Sequence, residues 1–330
     1  MSFTAKAAAL FGAAALVLVP AGISGASTST SPPAASPHEN HPRGAPPTGG
    51  GSTSTLLNYH GGVSDGAAGA VGVETTPGVY LVFWGSQWSS DPSGEATYVT
   101  NFLNGLYQSG GSTNDNWSPS TTQYCEGVAS GASCSGGTFV TAPTKSPLLG
   151  VWSDKGSAAP SKPRQSQLAG EAINAAAHFG NGTAAKNASV QYVIATAHRN
   201  NAQGFGTSYC AWHSSVNSSA GEIAYTNLPY ITDAGGSCGA NFVGSANDGI
   251  SIVEGHEYAE TVTDQYPNGG WLDGSGAENG DKCAWITPGT SGGSADIALS
   301  TGTFAVQSLW SNSLPGCAIY YPVGGSGQHG

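Results

Sequence analysis

The residues best suited to chemistry lie in the stretch IVEGHEYAETVTD, residues 252–264. Residues four apart in a helix lie on the same face one turn apart, so His256 and Glu260 would point in the same direction. The HExxH motif holds zinc in this way, and here glutamate replaces the second histidine. A carboxylate oxygen is an acceptable zinc ligand, so the HExxE pattern predicts a metal site. The more negative ligand set also admits Ca²⁺ or Mn²⁺.

Glu257 is the candidate catalytic residue. In metalloproteases the glutamate that follows the first histidine of the motif polarises the metal-bound water and passes protons to the leaving amine. A catalytic zinc also needs a third protein ligand and an open position for water. The pattern therefore predicts a zinc endopeptidase that acts on a protein or peptide substrate.

The third ligand is expected from the segment WLDGSGAENGDKCAW, residues 271–285. It offers Asp273, Glu278 and Asp281, and Asp264 is available two turns after the histidine of the motif. We expect Glu278, because Asp264 lies where the helix should end. Asp281 is the next candidate, either as a ligand or as an acceptor for the histidine ring.

Crowding of acids distinguishes this region from the rest of the chain. The protein has 20 Asp and Glu and 9 Lys and Arg in 330 residues, yet seven of the acids fall between residues 254 and 281. Like charges repel, so this crowding is costly unless a cation relieves it. The alternative is a solvated acidic face of a helix.

The composition argues against binding to nucleic acid or membranes and favours an exported protein. The formal net charge of -11 gives the chain no electrostatic reason to bind nucleic acid or an anionic membrane. Six cysteines predict three disulfides in an exported protein, and the shortest loops are closed by the sequential pairs 125–134, 210–238 and 283–317. No CxxC motif is present, which argues against a cysteine zinc site.

Four segments are predicted along the chain. Residues 1–26 have the basic start, apolar run and small residues of a signal peptide, so the mature protein is expected to be secreted without a membrane anchor. Residues 27–55 are a Ser/Thr/Pro/Gly-rich linker or propeptide, in which we expect His38 and His41 to be solvated, with transient metal contact as the alternative. Residues 56–323 are the folded domain, and residues 324–330 are a flexible tail.

The domain is expected to be α/β (α+β), zincin-like, and either single or two-lobed, with a β-rich C-terminal half around the HExxE helix. Apolar and β-branched runs predict strands at 78–85 and 189–198. Helices are predicted after Asp91 and at 163–180, and Asn247 or Asp248 could cap the motif helix. Short β segments are predicted at 209–215, at 222–231 and near the C-terminus.

At these motifs the chain resembles the exordium, or phosphate-induced, family of secreted plant proteins and their bacterial and fungal relatives. The resemblance rests on GISIVEGHEYAETVTD followed by GGWLDGSGAENGDKCAW, and on LLNYHGG, VYLVFWGSQW, YCAWHSS and IAYTNLPY with GSCG in the same order. It covers most of residues 56–322 and implies an extracellular or cell-surface protein. The residues that match the family motif are His256, Glu257, Glu260, Glu278 and Asp281. Asp264 matches a position that is often Asn, which favours Glu278. The resemblance implies no activity, so the peptidase hypothesis rests on the residues.

Several other functions remain open at this stage. A glycoside hydrolase could use Glu257 and Glu278 as its carboxylate pair, with tryptophans stacking on sugar. GVSDG and GGSCG match the GxSxG pattern of serine hydrolases, but neither follows a strong strand and leads into a helix. His198 and His213 could be ligands or transition-state donors. The non-enzymatic alternative is a secreted binding protein whose metal or acidic cluster is structural. The sequence does not predict an oligomeric state.

Overall fold

The computed structural model describes residues 1, 36–43, 56–64, 69–107, 115–267 and 269–321. The predicted signal peptide, most of the predicted linker and the tail at 324–330 lie outside these residues. Residues 32–330 group into one compact unit. Among the described residues, no helix has both the length and the hydropathy that a membrane span requires.

The protein has mixed α/β structure. The strands are β1 (His38–Asn40), β2 (Asn58–Tyr59), β3 (Val63–Ser64), β4 (Ala70–Val71), β5 (Gly78–Trp84), β6 (Cys125–Glu126), β7 (Thr138–Phe139), β8 (Leu148–Asp154), β9 (Val190–Thr196), β10 (Ala211–Ser218), β11 (Gly221–Leu228), β12 (Trp271–Leu272), β13 (Ala295–Leu299), β14 (Gly302–Val306), β15 (Leu309–Ser311) and β16 (Gly316–Ala318). The α-helices are α1 (Glu95–Gly105), α2 (Gln165–His178), α3 (Ala184–Asn187) and α4 (Asp248–Thr263). Short 3₁₀ helices cover Ser86–Ser89, Ser118–Gln123, Ile231–Cys238 and Asp281–Cys283.

A six-stranded mixed sheet in the order β1-β10-β11-β9-β5-β8 forms the centre of the fold. β11, β9, β5 and β8 run parallel, whereas β1 and β11 pair antiparallel with β10. Side chains on successive residues of a strand point to opposite faces. Leu81 and Val193 therefore join a core that includes residues of α1 and α4, while Val82 and Ile194 join a second core with α2. Helices thus cover both faces of the sheet.

The HExxE helix, α4, is buried over its whole length. Its start differs from the prediction, because neither Asn247 nor Asp248 makes a side-chain cap. Instead, one carboxylate oxygen of Asp248 accepts hydrogen bonds from the backbone N–H groups of residues 243, 244 and 245. Gly249 allows the first turn to pack closely, since a Cβ there would lie 2.0 Å from the Cys238 carbonyl oxygen.

The local predictions outside α4 are largely confirmed. The strands expected at 78–85 and 189–198 are β5 and β9, and the helices expected after Asp91 and at 163–180 are α1 and α2. Asp91 does serve the start of α1, because its carboxylate accepts bonds from the N–H groups of Glu95 and Ala96. All three disulfides join the sequential pairs, Cys125–Cys134, Cys210–Cys238 and Cys283–Cys317.

The expectation that His38 belongs to a solvated tail is wrong. Residues 38–40 form β1, which pairs with β10 at one edge of the central sheet. The side chain of His38 is only 20% exposed. His41 also has a partner, because its Nδ1 lies 2.9 Å from the Ser208 carbonyl oxygen. Composition suggested a solvated segment since most of its neighbours are Ser, Thr, Pro and Gly, but an edge strand needs only a few residues with free backbone groups to pair.

Candidate metal centre

The helix α4 presents His256 and Glu260 one turn apart, as the HExxE spacing predicts. His256 Nε2 lies 3.0 Å from Glu260 Oε1, and both side chains are fully buried. The ring nitrogen and the carboxylate oxygen form an ion pair when His256 is protonated, although their geometry is not that of a directed hydrogen bond. With the ring deprotonated, the same two atoms are of the types that bind zinc.

Gln307 sets the orientation of the His256 ring. His256 Nδ1 donates to Gln307 Oε1 at 3.1 Å, and Gln307 Nε2 donates to the Gly280 carbonyl oxygen at 2.8 Å. The amide group of Gln307 is therefore held with its oxygen toward the histidine. Metal-ligating histidines usually donate their other ring N–H to such an acceptor, which leaves Nε2 directed at the metal.

The loop 278–281 is fastened onto α4. Asn279 Nδ2 donates to the Ala259 carbonyl oxygen and to Thr263 Oγ1. The backbone N–H of Asp281 donates to Glu260 Oε1 at 2.9 Å. Gly280 permits this close approach, because a Cβ there would lie 2.8 Å from both Glu260 Oε1 and His256 Nδ1. The loop therefore brings the Asp281 carboxylate to 3.8 Å from His256 Nε2.

β10 places His213 on the other side of Glu260. The Nε2 atom of His213 lies 3.8 Å from Glu260 Oε2 and 3.0 Å from Glu278 Oε2. The same Glu278 oxygen accepts a hydrogen bond from His38 Nδ1 at 2.6 Å. Glu278 is thus held between two imidazoles, and the two oxygens of Glu260 face two different histidines.

Three groups of side chains could hold a metal ion among the described residues. The groups are His256, Glu260 and Asp281; His213, Glu257 and Glu260; and His38, His213 and Glu278. Within each group one ligand atom from every residue lies within 4.8 Å of the others. Because Glu260 and His213 each belong to two groups, the three form one continuous cluster, which we call the metal cluster.

The electrostatics of the metal cluster reflect burial and crowded carboxylates. Burial raises the pKa of Glu257 well above its usual range, and the charges of Glu260 and Glu278 raise it further. Burial and Glu260 raise the pKa of Asp281 to about 8. Burial alone would lower the pKa of His256, but Glu260 and Asp281 raise it to about 9. Burial alone would raise the pKa of Glu278, but His213 and His38 hold it well below its usual range. A metal ion would replace some of these protons.

The residues of the metal cluster fit a cation. Several fully buried atoms have no hydrogen-bond partner: His256 Nε2, both oxygens of Glu257, Glu260 Oε2, Glu278 Oε1 and His213 Nδ1. Buried polar groups are normally hydrogen-bonded, so each such atom requires an explanation. Histidine nitrogens and carboxylate oxygens are the ligands that zinc takes from proteins, and a hard carboxylate-rich set also suits Mn²⁺ or Ca²⁺.

The structure brings together most of the predicted site residues. Asp281 joins His256 and Glu260 in one ligand group, whereas Glu278, the first choice for third ligand, lies in the neighbouring group. Asp264 belongs to none of the groups, and its Oδ1 accepts a bond from the Gly269 N–H just beyond α4. Asp273 is likewise outside the groups and binds Lys282. The alternative of a solvated helix face is wrong, because every residue of α4 is buried.

His198 is not part of the metal cluster. Its Nδ1 lies 2.5 Å from Asp233 Oδ1, at an exposed position. Two of the tryptophans considered for sugar stacking, Trp88 and Trp271, donate to backbone carbonyl groups inside the core. Cys238 of the GGSCG motif is held in a disulfide.

The sequence favoured a solvated tail over metal contact for His38, and it left the role of His213 open. His213 lies in β10, and its contact with Glu260 could not be predicted because the two residues are far apart in the sequence. A usable signal for His38 was the pair HENH itself, since two histidines flanking an acid are unusual in a Ser- and Pro-rich segment. Comparison of the chain with protein-family models, with curated proteins and with solved structures gave no match.

Proposed function

We propose that this protein is a secreted zinc-dependent peptidase in which His256, Glu260 and Asp281 hold the metal and Glu257 is the general base. The observation that carries the proposal is the grouping of His256, Glu260 and Asp281, each of which offers one ligand atom within 4.8 Å of the others. Glu257 lies beside this pair, in a ligand group with Glu260, and both of its oxygens lack a partner. Three disulfides are consistent with the oxidising compartment of a secreted protein.

Glu257 and Gln307 would have different roles in peptide hydrolysis. Glu257 accepts the proton of the attacking water and returns it to the leaving amine nitrogen of the peptide. Burial raises its pKa and therefore strengthens its hold on the proton that it takes from water. Gln307 keeps the His256 ring in the ligating orientation. A bound zinc ion would supply a Lewis acid that polarises the scissile carbonyl and lowers the pKa of water to about 7.

A structural metal site is the second candidate function. The side chains of His213, His256, Glu257, Glu260 and Glu278 are fully buried. Structural zinc sites are closed, whereas catalytic sites keep one position open. In this alternative the metal holds α4, β10 and the loop 278–281 together in a non-catalytic secreted binding protein. The two candidates differ in what Glu257 does, because a structural site does not need a base.

The test measures zinc and peptide hydrolysis in the same samples. Mature protein is analysed for bound zinc by mass spectrometry and assayed with a mixture of peptides. Every form is assayed as the whole chain and after a cut at an engineered protease site between Gly50 and Gly51, because a buried site needs a route for the substrate. We expect Glu257→Gln to lower hydrolysis about 10²- to 10⁴-fold while zinc is retained.

Glu254→Gln is the matched control. Glu254 is also buried on α4 and also has two oxygens without a hydrogen-bond partner, but it belongs to none of the ligand groups. It should therefore leave hydrolysis nearly unchanged. Equal rates for Glu257→Gln and the parent would contradict the peptidase proposal. Loss of folding on metal removal, with no peptide cut by any form, would establish the structural site instead.

A further inference from the structure

The strand β1 covers the metal cluster from the edge of the central sheet. It pairs antiparallel with β10, with His38 opposite His213, Glu39 opposite Trp212 and Asn40 opposite Ala211. The Asn40 carbonyl oxygen accepts a bond from the Cys210 N–H at 2.6 Å. Among the described strands, β10 pairs otherwise with β11 alone, so β1 occupies the edge that β10 would present to another extended chain.

The side chain of His38 lies inside the metal cluster. Its Nδ1 donates to Glu278 Oε2, and its ring lies 5.4 Å from the His213 ring. Successive residues of a strand point to opposite faces. His38 and Asn40 therefore point inward, whereas the Glu39 side chain is 36% exposed. β1 therefore places a ligand-type side chain directly on the metal cluster.

The residues after β1 are attached to the same edge. Trp285 Nε1 donates to the His41 carbonyl oxygen at 2.6 Å, and the Arg43 N–H donates to the Ser237 carbonyl oxygen at 2.8 Å. The Arg43 guanidinium lies 4.7 Å from the centre of the Phe242 ring. Pro37 and Pro42 flank the paired residues, and proline has no N–H for a sheet, which limits the strand to a few residues. We call residues 36–43 the strap.

No covalent crosslink adds to these contacts. The cysteines of the chain begin at Cys125, so every disulfide lies after the strap. Once the chain is cut after the strap, backbone pairing and a few side-chain contacts are all that hold it. Extended peptides bind exposed sheet edges through the same backbone pairing. The strap and a peptide therefore compete for the same atoms.

We propose that the β10 edge is the binding surface for an extended peptide substrate, and that residues 36–43 occupy it as an intramolecular inhibitor with His38 at the metal cluster. Cleavage between residues 44 and 55 releases the strap and opens the site. The substrate assignment rests on the proposed peptidase function. The displacement of the strap does not, because it follows from the pairing with β10 and from the contacts of His38.

The experiment uses the zinc-loaded chain with the protease site between Gly50 and Gly51. A fluorescent synthetic peptide, SPHENHPR, corresponds to residues 36–43. Its binding to the cut and separated protein and to the uncut protein is measured by fluorescence anisotropy. Hydrogen exchange of the β10 backbone amides is measured on both forms. We expect the peptide to bind only the cut form, and exchange in β10 to increase on cutting and to decrease again when the peptide is added.

Two altered peptides test the role of His38. The peptide with His38→Ala should bind about 10- to 100-fold more weakly, because it loses a charge-assisted hydrogen bond to Glu278. The peptide with Glu39→Ala is the matched control and should bind within about 2-fold of the parent, since Glu39 points away from the cluster. In a hydrolysis assay, cutting should increase the rate at least about 10-fold, and SPHENHPR should reverse that increase.

The outcomes separate this proposal from the proposed function. Equal binding to the cut and uncut forms, or equal affinity of the His38→Ala peptide, would overturn the strap as an occupant of the β10 edge. If the peptide binds only the cut form but no form hydrolyses any peptide, the strand-binding surface stands and the peptidase proposal fails. If hydrolysis occurs at the same rate before and after cutting, the inhibitory role of the strap is excluded.

Discussion

Two sets of buried acids differ in whether the protein pairs them with a lysine. One is Asp273 with Lys282, and the other is the metal cluster. Asp273 is paired with Lys282 at 2.7 Å, and its other oxygen accepts bonds from the N–H groups of Ser275 and Ala277. Burial alone would raise the pKa of Asp273, but Lys282 and these donors hold it well below its usual range. The metal cluster contains no Lys or Arg, and several of its oxygens have no donor.

This difference identifies which acids need an external cation. Buried charges are costly unless they are paired or bind metal. Asp273 and Lys282 neutralise each other as an ion pair. The Trp310 ring, whose centre lies 4.4 Å from Lys282 Nζ, adds a cation–π contact. The metal cluster has its carboxylates arranged around histidine nitrogens instead. Acidity alone therefore does not define the site, and the grouping of carboxylates with histidine nitrogens does.

The largest effect on stability is expected from breaking the ion pair between Asp273 and Lys282. Lys282→Met removes the ammonium group that pairs with Asp273 at 2.7 Å and leaves a buried carboxylate, so the free energy of unfolding should fall by about 3–5 kcal/mol. Because this pair is separate from the metal cluster, the loss should be the same with and without zinc. Urea unfolding in both conditions measures it. The double variant with Asp273→Asn should recover part of the loss, and a zinc-dependent loss would mean that the two regions are one system.

The next effect is expected at the carboxylate shared by two ligand groups. Glu260→Gln removes a charged ligand that faces both His256 and His213. Zinc affinity should fall by more than about 100-fold, since changes to groups outside the ligands already cost 10- to 100-fold. Competition with a chromophoric chelator measures the affinity, and Glu254→Gln serves as the control. An unchanged affinity would show that the metal cluster does not bind zinc through α4.

A smaller effect is expected from the residue that orients His256. Gln307→Ala removes the acceptor of the His256 Nδ1 proton without touching a ligand. We expect zinc affinity to fall about 10- to 100-fold, with zinc still bound at saturation. The same titration measures it, and Gln307→Glu, which keeps an acceptor for the ring, should restore most of the affinity. If Ala and Glu at this position behave alike, the hydrogen bond has no role in metal binding.

The smallest effect is expected at a buried acid with neither a cation nor neighbouring ligands. Glu74 is fully buried, one of its oxygens lacks a partner, and it belongs to none of the ligand groups. Burial raises its pKa well above the usual range. The folded state therefore binds this proton more tightly than the unfolded state, and stability falls as the pH rises above about 4.3.

Glu74→Gln should remove that loss. The variant and the parent should unfold at similar urea concentrations at pH 5, and the difference in their free energies of unfolding should grow in favour of the variant by up to about 1.4 kcal/mol per pH unit. Urea unfolding at pH 5 and pH 7 measures this growth, and zinc should not alter it. A constant difference between the two pH values would mean that Glu74 is charged in the folded protein.

Local patterns in the sequence predicted much of the fold because they depend on neighbours along the chain. The alternating and apolar runs of β5 and β9 and the HExxE spacing of α4 are of this kind. The disulfides also followed from short sequence separations. The burial of α4 on all sides was not predictable, because its acids suggest a solvated face. Tertiary packing removes that face from water, because β14, α1, β10 and the loop 278–281 all pack against the helix.

The sequence by itself determined that His256, Glu257 and Glu260 lie together on one helix, since helical geometry relates residues one turn apart whatever surrounds them. The tertiary structure alone decided which groups complete the cluster. The pairing register of β10 places His213 in the cluster, and the strand β1 at the sheet edge places His38 there. Asp281 lies in a loop that can approach α4 closely because residue 280 is glycine. These contacts join residues far apart in the chain, and their geometry is set by packing and backbone pairing rather than by spacing.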